Sequence, residues 1–293
     1  MCYEKIPLCG KDHTEGKTRL EEKSDLMKAV FIADAHLKDS HDLNYRKLLR
    51  FLSLLIHSSS VDNLLHLKTM ACQRIPVDDL YIGGDFFDFW FCRGTEVYPE
   101  FLPVIRALTA VRDRGIRVHF AEGNHDFFLS DYFTGIMDME VFRDWATFML
   151  DDCKVLFSHG DMVDRNNVRY LLLRKLLRSH LIYQIQHRLP PSFLWKIAAS
   201  SSAASKGQFR TSKEKLSEIL HIFSALKIRG EIDAVILGHC HQPIMKEFQI
   251  NGRRKYTITL GDWIRHFSYL YYEDGIFRLC FFEDRENRHC KNL

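Results

Sequence analysis

The sequence lacks the features of a membrane-spanning or secreted chain. It contains no run of about 18 apolar residues, the length that a spanning helix needs. Residues 1–26 are polar and contain no apolar h-region, so they do not resemble a secretory signal. We predict that these residues form a flexible N-terminal tail.

Paired cysteine motifs are also missing. The eight cysteines form no CxxC pair, and their spacing is irregular. An even count is compatible with disulfides, but this spacing favours reduced, mostly buried thiols. We therefore predict a cytoplasmic protein.

Acidic residues are absent from the segment Arg165 to Lys213, which contains ten lysines and arginines. The rest of the chain holds 31 basic and 38 acidic residues. Such segregation of charge suggests that the basic segment meets an anionic partner. The alternative is a solvated basic helix face.

The remaining pattern is that of a globular α/β chain, with 46% hydrophobic residues among 293. Apolar periodicity predicts helices over 42–56 and 99–113. It predicts strands over 28–33, 79–82, 116–121, 155–158, 234–237, 256–260, 268–272 and 276–282. This order predicts a layered α/β domain around a mixed sheet core, spanning residues 27–285.

About 75 residues separate the strands at 155–158 and 234–237, far more than one crossover requires. We predict that residues 163–205, called the insertion below, form a helical lid over the site. Because the core motifs flank this segment, removal of residues 168–200 is expected to leave the core folded.

Five short segments carry residues suited to binding divalent metals, and each follows a predicted strand. They are Asp34-Ala35-His36, Gly84-Asp85-Phe86-Phe87-Asp88, Gly123-Asn124-His125-Asp126, His159-Gly160-Asp161 and Gly238-His239-Cys240-His241. A single D-x-H or H-x-H is a weak signal, since such pairs also occur on surfaces and in cores. Five in this order predict a metal centre.

The residue types explain what such a centre would do. Side chains two residues apart lie on one side of an extended backbone, so D-x-H and H-x-H each direct two ligands to one region. A carboxylate such as Asp85 has two oxygens and can bridge two cations. Two cations about 3.5–4 Å apart stabilise the attacking and leaving oxygens of a phosphoryl transfer.

The order D-x-H, GD-x-x-D, GNHD, HGD, GHCH resembles the calcineurin-like metallophosphoesterase superfamily over roughly residues 28–282. The resemblance implies a two-sheet β-sandwich flanked by helices, with in-line attack on phosphorus by a metal-activated water. It implies that Asp34, His36 and His241 bind one cation, that Asn124, His159 and His239 bind the other, and that Asp85 bridges them.

A narrower resemblance links FIADAHL, GGDFFDFW, SHGD and the insertion before GHCHQP to the UDP-2,3-diacylglucosamine hydrolases of lipid A biosynthesis. It implies release of UMP and 2,3-diacylglucosamine 1-phosphate from a nucleotide-sugar lipid, with two Mn²⁺ ions, at the cytoplasmic face of the inner membrane. Basic side chains of the insertion would meet the diphosphate. Its apolar residues would meet acyl chains and the membrane surface; they are Leu171, Leu172, Leu173, Leu176, Leu177, Leu181, Ile182, Phe193, Leu194 and Trp195. The alternative for these is ordinary packing between helices.

The chain departs from the narrower family at its substrate contacts. His125 stands where that family usually has Arg, and Asn167 stands where it has Asp. The Ser and Lys contacts map loosely onto Ser205, Arg210 and Lys213. The implied substrate-binding set is Asn124, His125, Asn167, Ser205, Arg210, Lys213 and His239.

Other residues near the motifs have supporting roles in this interpretation. We expect His125 to protonate the leaving oxygen or to bind phosphate, with Asp88 orienting it. Asp126 and Asp161 are expected to accept hydrogen bonds from backbone N–H groups. Cys240 should point away from the metals. Asp262 can equally well be interpreted as a turn residue or as a functional residue.

Two other functions remain open. One is a phosphatase or diesterase of the same superfamily with another phosphorylated substrate. The other is a non-catalytic scaffold that binds membranes or nucleic acid through the insertion. Seven intact metal-ligand residues argue against a scaffold, and the leucine content argues against nucleic acid. Nothing in the sequence indicates an obligate protein partner.

Overall fold

The computed structural model describes residues 26–56, 75–204, 213–282 and 289–291, and these ranges contain twelve strands, seven α-helices and one 3-10 helix (Pro99–Phe101). The strands are β1 (Ala29–Ile32), β2 (Asp79–Ile82), β3 (Arg117–Ala121), β4 (Glu140–Phe142), β5 (Ala146–Leu150), β6 (Cys153–Ser158), β7 (Ala234–Leu237), β8 (Pro243–Ile250), β9 (Arg253–Leu260), β10 (Ser268–Glu273), β11 (Ile276–Phe281) and β12 (His289–Lys291). The helices are α1 (Leu43–Ile56), α2 (Leu102–Asp113), α3 (Ser130–Phe133), α4 (Val168–Leu177), α5 (His180–Arg188), α6 (Pro191–Ala204) and α7 (Lys213–Lys227).

The strands form two mixed sheets. The seven-stranded sheet has the order β12-β11-β10-β1-β2-β3-β4, and β1 to β4 run parallel within it. The five-stranded sheet has the order β5-β6-β7-β9-β8, with β6, β7 and β9 parallel. Parallel neighbours bring the carboxyl ends of their strands to one edge, which is where the predicted motifs begin.

Alternating side chains explain why the sheets stack with helices outside. On β1, Phe31 belongs to the apolar core that holds residues of both sheets, whereas Val30 and Ile32 pack in the core that includes α1 and α2. On β7, Ile236 faces the inter-sheet core, and Leu237 packs with residues of α7. Each inner strand therefore has two apolar faces, and both are covered.

The predicted fold class is confirmed, and the predicted strands and helices match observed elements to within a few residues. Four strands were not predicted: β4, β5, β8 and β12. The insertion is helical where it is described, with α4, α5 and α6 between β6 and β7. The predicted tail falls almost entirely outside the described residues.

Cysteine chemistry is only partly as predicted. Cys92, Cys153 and Cys240 are free thiols, and burial raises the pKa of Cys240 to about 11. Cys280, however, is disulfide-bonded, so the prediction of reduced thiols is wrong there. Among the described helices, none is long and apolar enough to cross a membrane.

Candidate metal centre

Side chains from both sheets converge at the carboxyl ends of the parallel strands. Asp34 follows β1, Asp85 follows β2 and Asn124 follows β3. From the second sheet, His159 follows β6 directly, and His239 lies two residues after β7. All seven predicted ligands meet at this edge, the remaining two being His36 and His241.

Asp34, His36 and His241, called the first half-site, place three ligand atoms within 4.8 Å of one another. Nε2 of His241 lies 3.6 Å from Oδ1 of Asp34, and the rings of His36 and His241 stack with 5.2 Å between centroids. Oδ1 of Asp34 and Nε2 of His36 are buried and have no hydrogen-bond partner in the described part of the chain. Buried atoms of this kind are costly unless a cation satisfies them.

Asn124, His159 and His239 form the second half-site. Nδ1 of His159 lies 2.9 Å from the carbonyl oxygen of Gly83 and must donate its proton there, because a carbonyl only accepts. In the neutral ring, Nε2 then presents a lone pair. This Nε2 lies 3.1 Å from Oδ1 of Asn124 and 3.2 Å from Nδ1 of His239. Such convergence of donor atoms fits a bound cation.

Asp85 lies between the half-sites. Its Oδ2 is 3.6 Å from Nε2 of His36 and 3.4 Å from Nε2 of His159. The other oxygen, Oδ1, accepts a hydrogen bond from the backbone N–H of His125 at 2.9 Å. One carboxylate oxygen therefore faces both half-sites, which fits the bridging role predicted for Asp85.

The local backbone is unusual at these positions. Asp34, His36, Asp85, His239 and His241 all have positive φ, between 45° and 68°. Non-glycine residues rarely adopt this region, and such strain concentrates at functional sites.

Gly84 allows the loops to approach each other. Its φ is +82°, and a Cβ on it would lie 2.8 Å from Nδ1 of His159. A side chain at this position would therefore displace His159, a predicted ligand of the second half-site.

Residues 27–243 match the family model for calcineurin-like phosphoesterases. The chain belongs to this family. It is accordingly a metal-dependent hydrolase whose activity requires divalent ions.

Curated relatives cover most of this metallophosphoesterase. A UDP-2,3-diacylglucosamine hydrolase of Azotobacter vinelandii is 29% identical over 82% of this chain and 92% of its own length. A UDP-2,3-diacylglucosamine hydrolase from Ectopseudomonas mendocina is 31% identical over 80% of this chain and 90% of its own length. Among solved structures, Yfce, a phosphoesterase from E. coli, covers 90% of this chain and 98% of its own, with 12% identity and a TM-score of 0.41.

The loops of the metallophosphoesterase site are fixed by carboxylates. Asp126 is buried and accepts hydrogen bonds from the backbone N–H groups of Asp85, Phe86, Phe87 and Gly123, at 2.7–3.1 Å. Its predicted role is confirmed. The same prediction is wrong for Asp161, whose Oδ2 accepts from the side chains of Tyr170 and Arg174.

His125 lies at the open side of the site, with its side chain 33% exposed. Its Nδ1 donates to the backbone carbonyl of Asp88 at 3.0 Å, while the Asp88 carboxylate lies 3.9 Å away. Burial acts to lower the pKa of His125, but Asp85 and the Asp88 carbonyl outweigh it and raise that pKa. An imidazole that faces the site and has a raised pKa fits the predicted acid or phosphate-binding role.

Of the predicted substrate contacts Asn167, Ser205, Arg210 and Lys213, only Asn167 has a described side chain. Asn167 caps α4, and its Oδ1 accepts from the backbone N–H of Tyr170 at 3.3 Å. Ser205 and Arg210 lie outside the described residues. Lys213 begins α7, and its side chain is likewise outside the described part.

Asp262 is a supporting residue that the sequence left undecided. Its Oδ2 lies 3.4 Å from Nδ1 of His241, and its Oδ1 accepts three backbone N–H groups of the following turn. Its position in a Leu-Gly-Asp-Trp segment just after β9 was the only signal available in the sequence.

Proposed function

We propose that this metallophosphoesterase hydrolyses UDP-2,3-diacylglucosamine to UMP and 2,3-diacylglucosamine 1-phosphate, with two Mn²⁺ ions held by the seven converging ligands. The observation that carries the proposal is the sequence similarity of this chain to UDP-2,3-diacylglucosamine hydrolases across about nine tenths of their length. The converging donor atoms at the strand ends support it independently.

Bound cations would polarise the phosphoryl group and activate water. The protein would position the two cations. Asp34, His36 and His241 would hold one cation, and the residues of the second half-site would hold the other. Asp85 would contact both cations. His125 would then hold a proton toward the phosphate oxygens, oriented by the carbonyl of Asp88.

Exposed apolar side chains on the insertion support a lipid substrate. Helices α4 and α5 bury no residue. Leu172, Leu176 and Leu181 are between 55% and 63% exposed, and Phe193 on α6 is 50% exposed. We propose that the insertion acts as a lid that binds acyl chains and rests on the cytoplasmic face of the membrane. Trp195, by contrast, is buried against the core, so ordinary packing explains it.

Two basic residues of the insertion are engaged with carboxylates of the core. Arg174 is paired with Asp161 and Asp144, and Arg178 is paired with Glu122. Arg165, Arg169, Lys175 and Arg188 are exposed and remain candidates for contact with anionic substrate or lipid.

The proposal is tested by comparing two substrates on the purified, Mn²⁺-loaded chain. UDP-2,3-diacylglucosamine should release UMP, and bis-p-nitrophenyl phosphate should be hydrolysed slowly. Leu172→Gln with Leu176→Gln should lower kcat/KM on the lipid and spare the soluble diester, because acyl contacts position only the lipid. The same variant should bind anionic vesicles less well than the wild type.

The other functions predict different results. Diester hydrolysis without UMP release would point to another phosphorylated substrate. Mn²⁺ binding without hydrolysis of either compound would favour the scaffold. Vesicle binding that resists high salt would argue against a contribution from the exposed basic residues.

A further inference from the structure

Three polar side chains form a stripe along α4. Tyr170, Arg174 and, just past the last turn, Arg178 are spaced four residues apart and therefore share one face of the helix. This face turns toward the metal loops, whereas Leu172 and Leu176 of the same helix are exposed. The helix thus has an outward apolar side and an inward polar side.

Arg178 connects α4 to the loop that carries Asn124. Its Nη1 donates to Oε2 of Glu122 at 2.7 Å, and its Nη2 donates to the carbonyl of Gly123 at 2.7 Å. The side chains of Arg178 and Glu122 are 7% and 2% exposed. A buried, charge-assisted pair with this geometry holds the backbone immediately before Asn124.

Arg174 and Tyr170 connect α4 to the loop that carries His159. Nε of Arg174 lies 2.7 Å from Oδ2 of Asp161, and the Tyr170 hydroxyl donates to the same oxygen at 2.5 Å. Two side chains of α4 therefore donate to one oxygen of a buried carboxylate that lies two residues after His159.

These contacts reach only one half of the site. Asn124 and His159 both belong to the second half-site. Within the described ranges, no α4 side chain hydrogen-bonds to Asp34, His36 or His241.

We propose that Arg174 and Arg178 are positioning residues that set the geometry of the second half-site, so that docking of α4 and cation binding there are coupled. The inference rests on the proposed ligand assignment. Coupling of this kind is reciprocal: a cation in the second half-site also stabilises docking of α4. The first half-site is independent of α4.

Mn²⁺ titration of the full, metal-stripped chain tests this without any activity assay. Wild type should bind two ions. Arg178→Met should lower the affinity for one ion by about 10–100-fold, because loss of a residue that supports a ligand typically has an effect of this size. The affinity for the other ion should be unchanged. Arg174→Met should weaken the same ion. Addition of the second Mn²⁺ equivalent should slow backbone amide hydrogen exchange in α4 of the wild type. The decrease in exchange rate should be smaller in Arg178→Met.

Two further variants separate positioning from general destabilisation. Arg253→Met removes a guanidinium that pairs with buried Asp233 at 2.9 Å, at the far end of the parallel strands, and should leave both ions unchanged. Glu122→Gln combined with Arg178→Met removes the carboxylate charge that the single variant leaves buried without its guanidinium partner. The double variant should recover the stability of the fold but not the affinity for the ion in the second half-site.

The outcomes distinguish the inference from the proposed function. A wild type that binds fewer than two ions contradicts the ligand assignment itself. If wild type binds two ions and Arg178→Met binds both as tightly as wild type does, positioning by α4 is wrong. If Arg178→Met does not fold, the double variant is compared with wild type in the same way. Equal weakening of both ions would also overturn it, because the contacts reach one half-site only.

Discussion

The carboxylate of Asp262 lies 3.4 Å from Nδ1 of His241, on the side of the ring opposite the nitrogen that faces Asp34. Burial acts to raise the pKa of Asp262, but His241 and the backbone N–H groups of His266 and Arg265 lower it well below the usual range. The carboxylate is therefore ionised, and it fixes which nitrogen of His241 is directed to the first half-site.

Asp262→Asn should weaken cation binding in the first half-site by about 10–100-fold, because the carboxamide no longer selects the same imidazole tautomer. Its oxygen can still accept the turn N–H groups, so the unfolding midpoint should change little. Mn²⁺ titration and urea denaturation of the variant measure the two effects. Unchanged affinity would mean that Asp262 is only a turn residue.

Asp85→Ala should remove activity and at least one cation, since its Oδ2 faces both half-sites. Loss of a supporting residue costs about 10–100-fold in metal affinity, and loss of a bridging ligand should cost more. Metal analysis of the dialysed variant checks this. Two ions per chain would show that the bridging role is wrong.

His125→Ala should keep both ions and slow turnover by about 10²–10⁴-fold, the range typical of a general acid. A substrate with a very good leaving group needs no proton and should be affected less. The measurement is kcat on a pair of diesters that differ in leaving-group pKa. Equal loss on both would favour phosphate binding instead.

The convergence of the predicted ligands could be expected from the sequence because each one follows a buried strand in an ordered set of short motifs. Asp34 and His36, for example, are separated by one residue and come directly after an apolar run. Local pattern and the geometry of parallel sheets together bring such residues to one edge. The half-site grouping came from family resemblance, and the distances are compatible with it.

The links between the insertion and the core could not be predicted. Arg178 and Glu122 are 56 residues apart, and nothing in their local sequence pairs them. Removal of residues 168–200, which we expect to leave the core folded, would also remove Arg178 and take this partner from buried Glu122. Loss of one partner from a buried pair costs about 3–5 kcal/mol, a large share of the roughly 5–15 kcal/mol that stabilises a typical domain.

His221, on α7, is an imidazole outside the metal centre with a distinctive environment. Its Nε2 is buried without a hydrogen-bond partner in the described part of the chain, and its Nδ1 lies 3.5 Å from Oγ1 of Thr257. Burial, and to a smaller extent the charge of Lys246, lowers the pKa of His221 to about 4. The folded protein therefore holds this ring neutral at a pH where the unfolded chain protonates it.

This difference in protonation makes stability depend on pH in a defined window. The unfolded-state pKa is about 6.5, so between that pH and about 4 the unfolded chain binds the extra proton, and the free energy of unfolding falls as pH falls. His221→Leu removes this contribution and should lose less stability across the window than wild type. Urea denaturation near pH 7, 6 and 5 measures it, with His41→Leu, an exposed site, as the control. The metal-site histidines are common to all three proteins and cancel in the comparison. Parallel pH profiles for wild type and His221→Leu would show that the buried ring is protonated in the folded state after all.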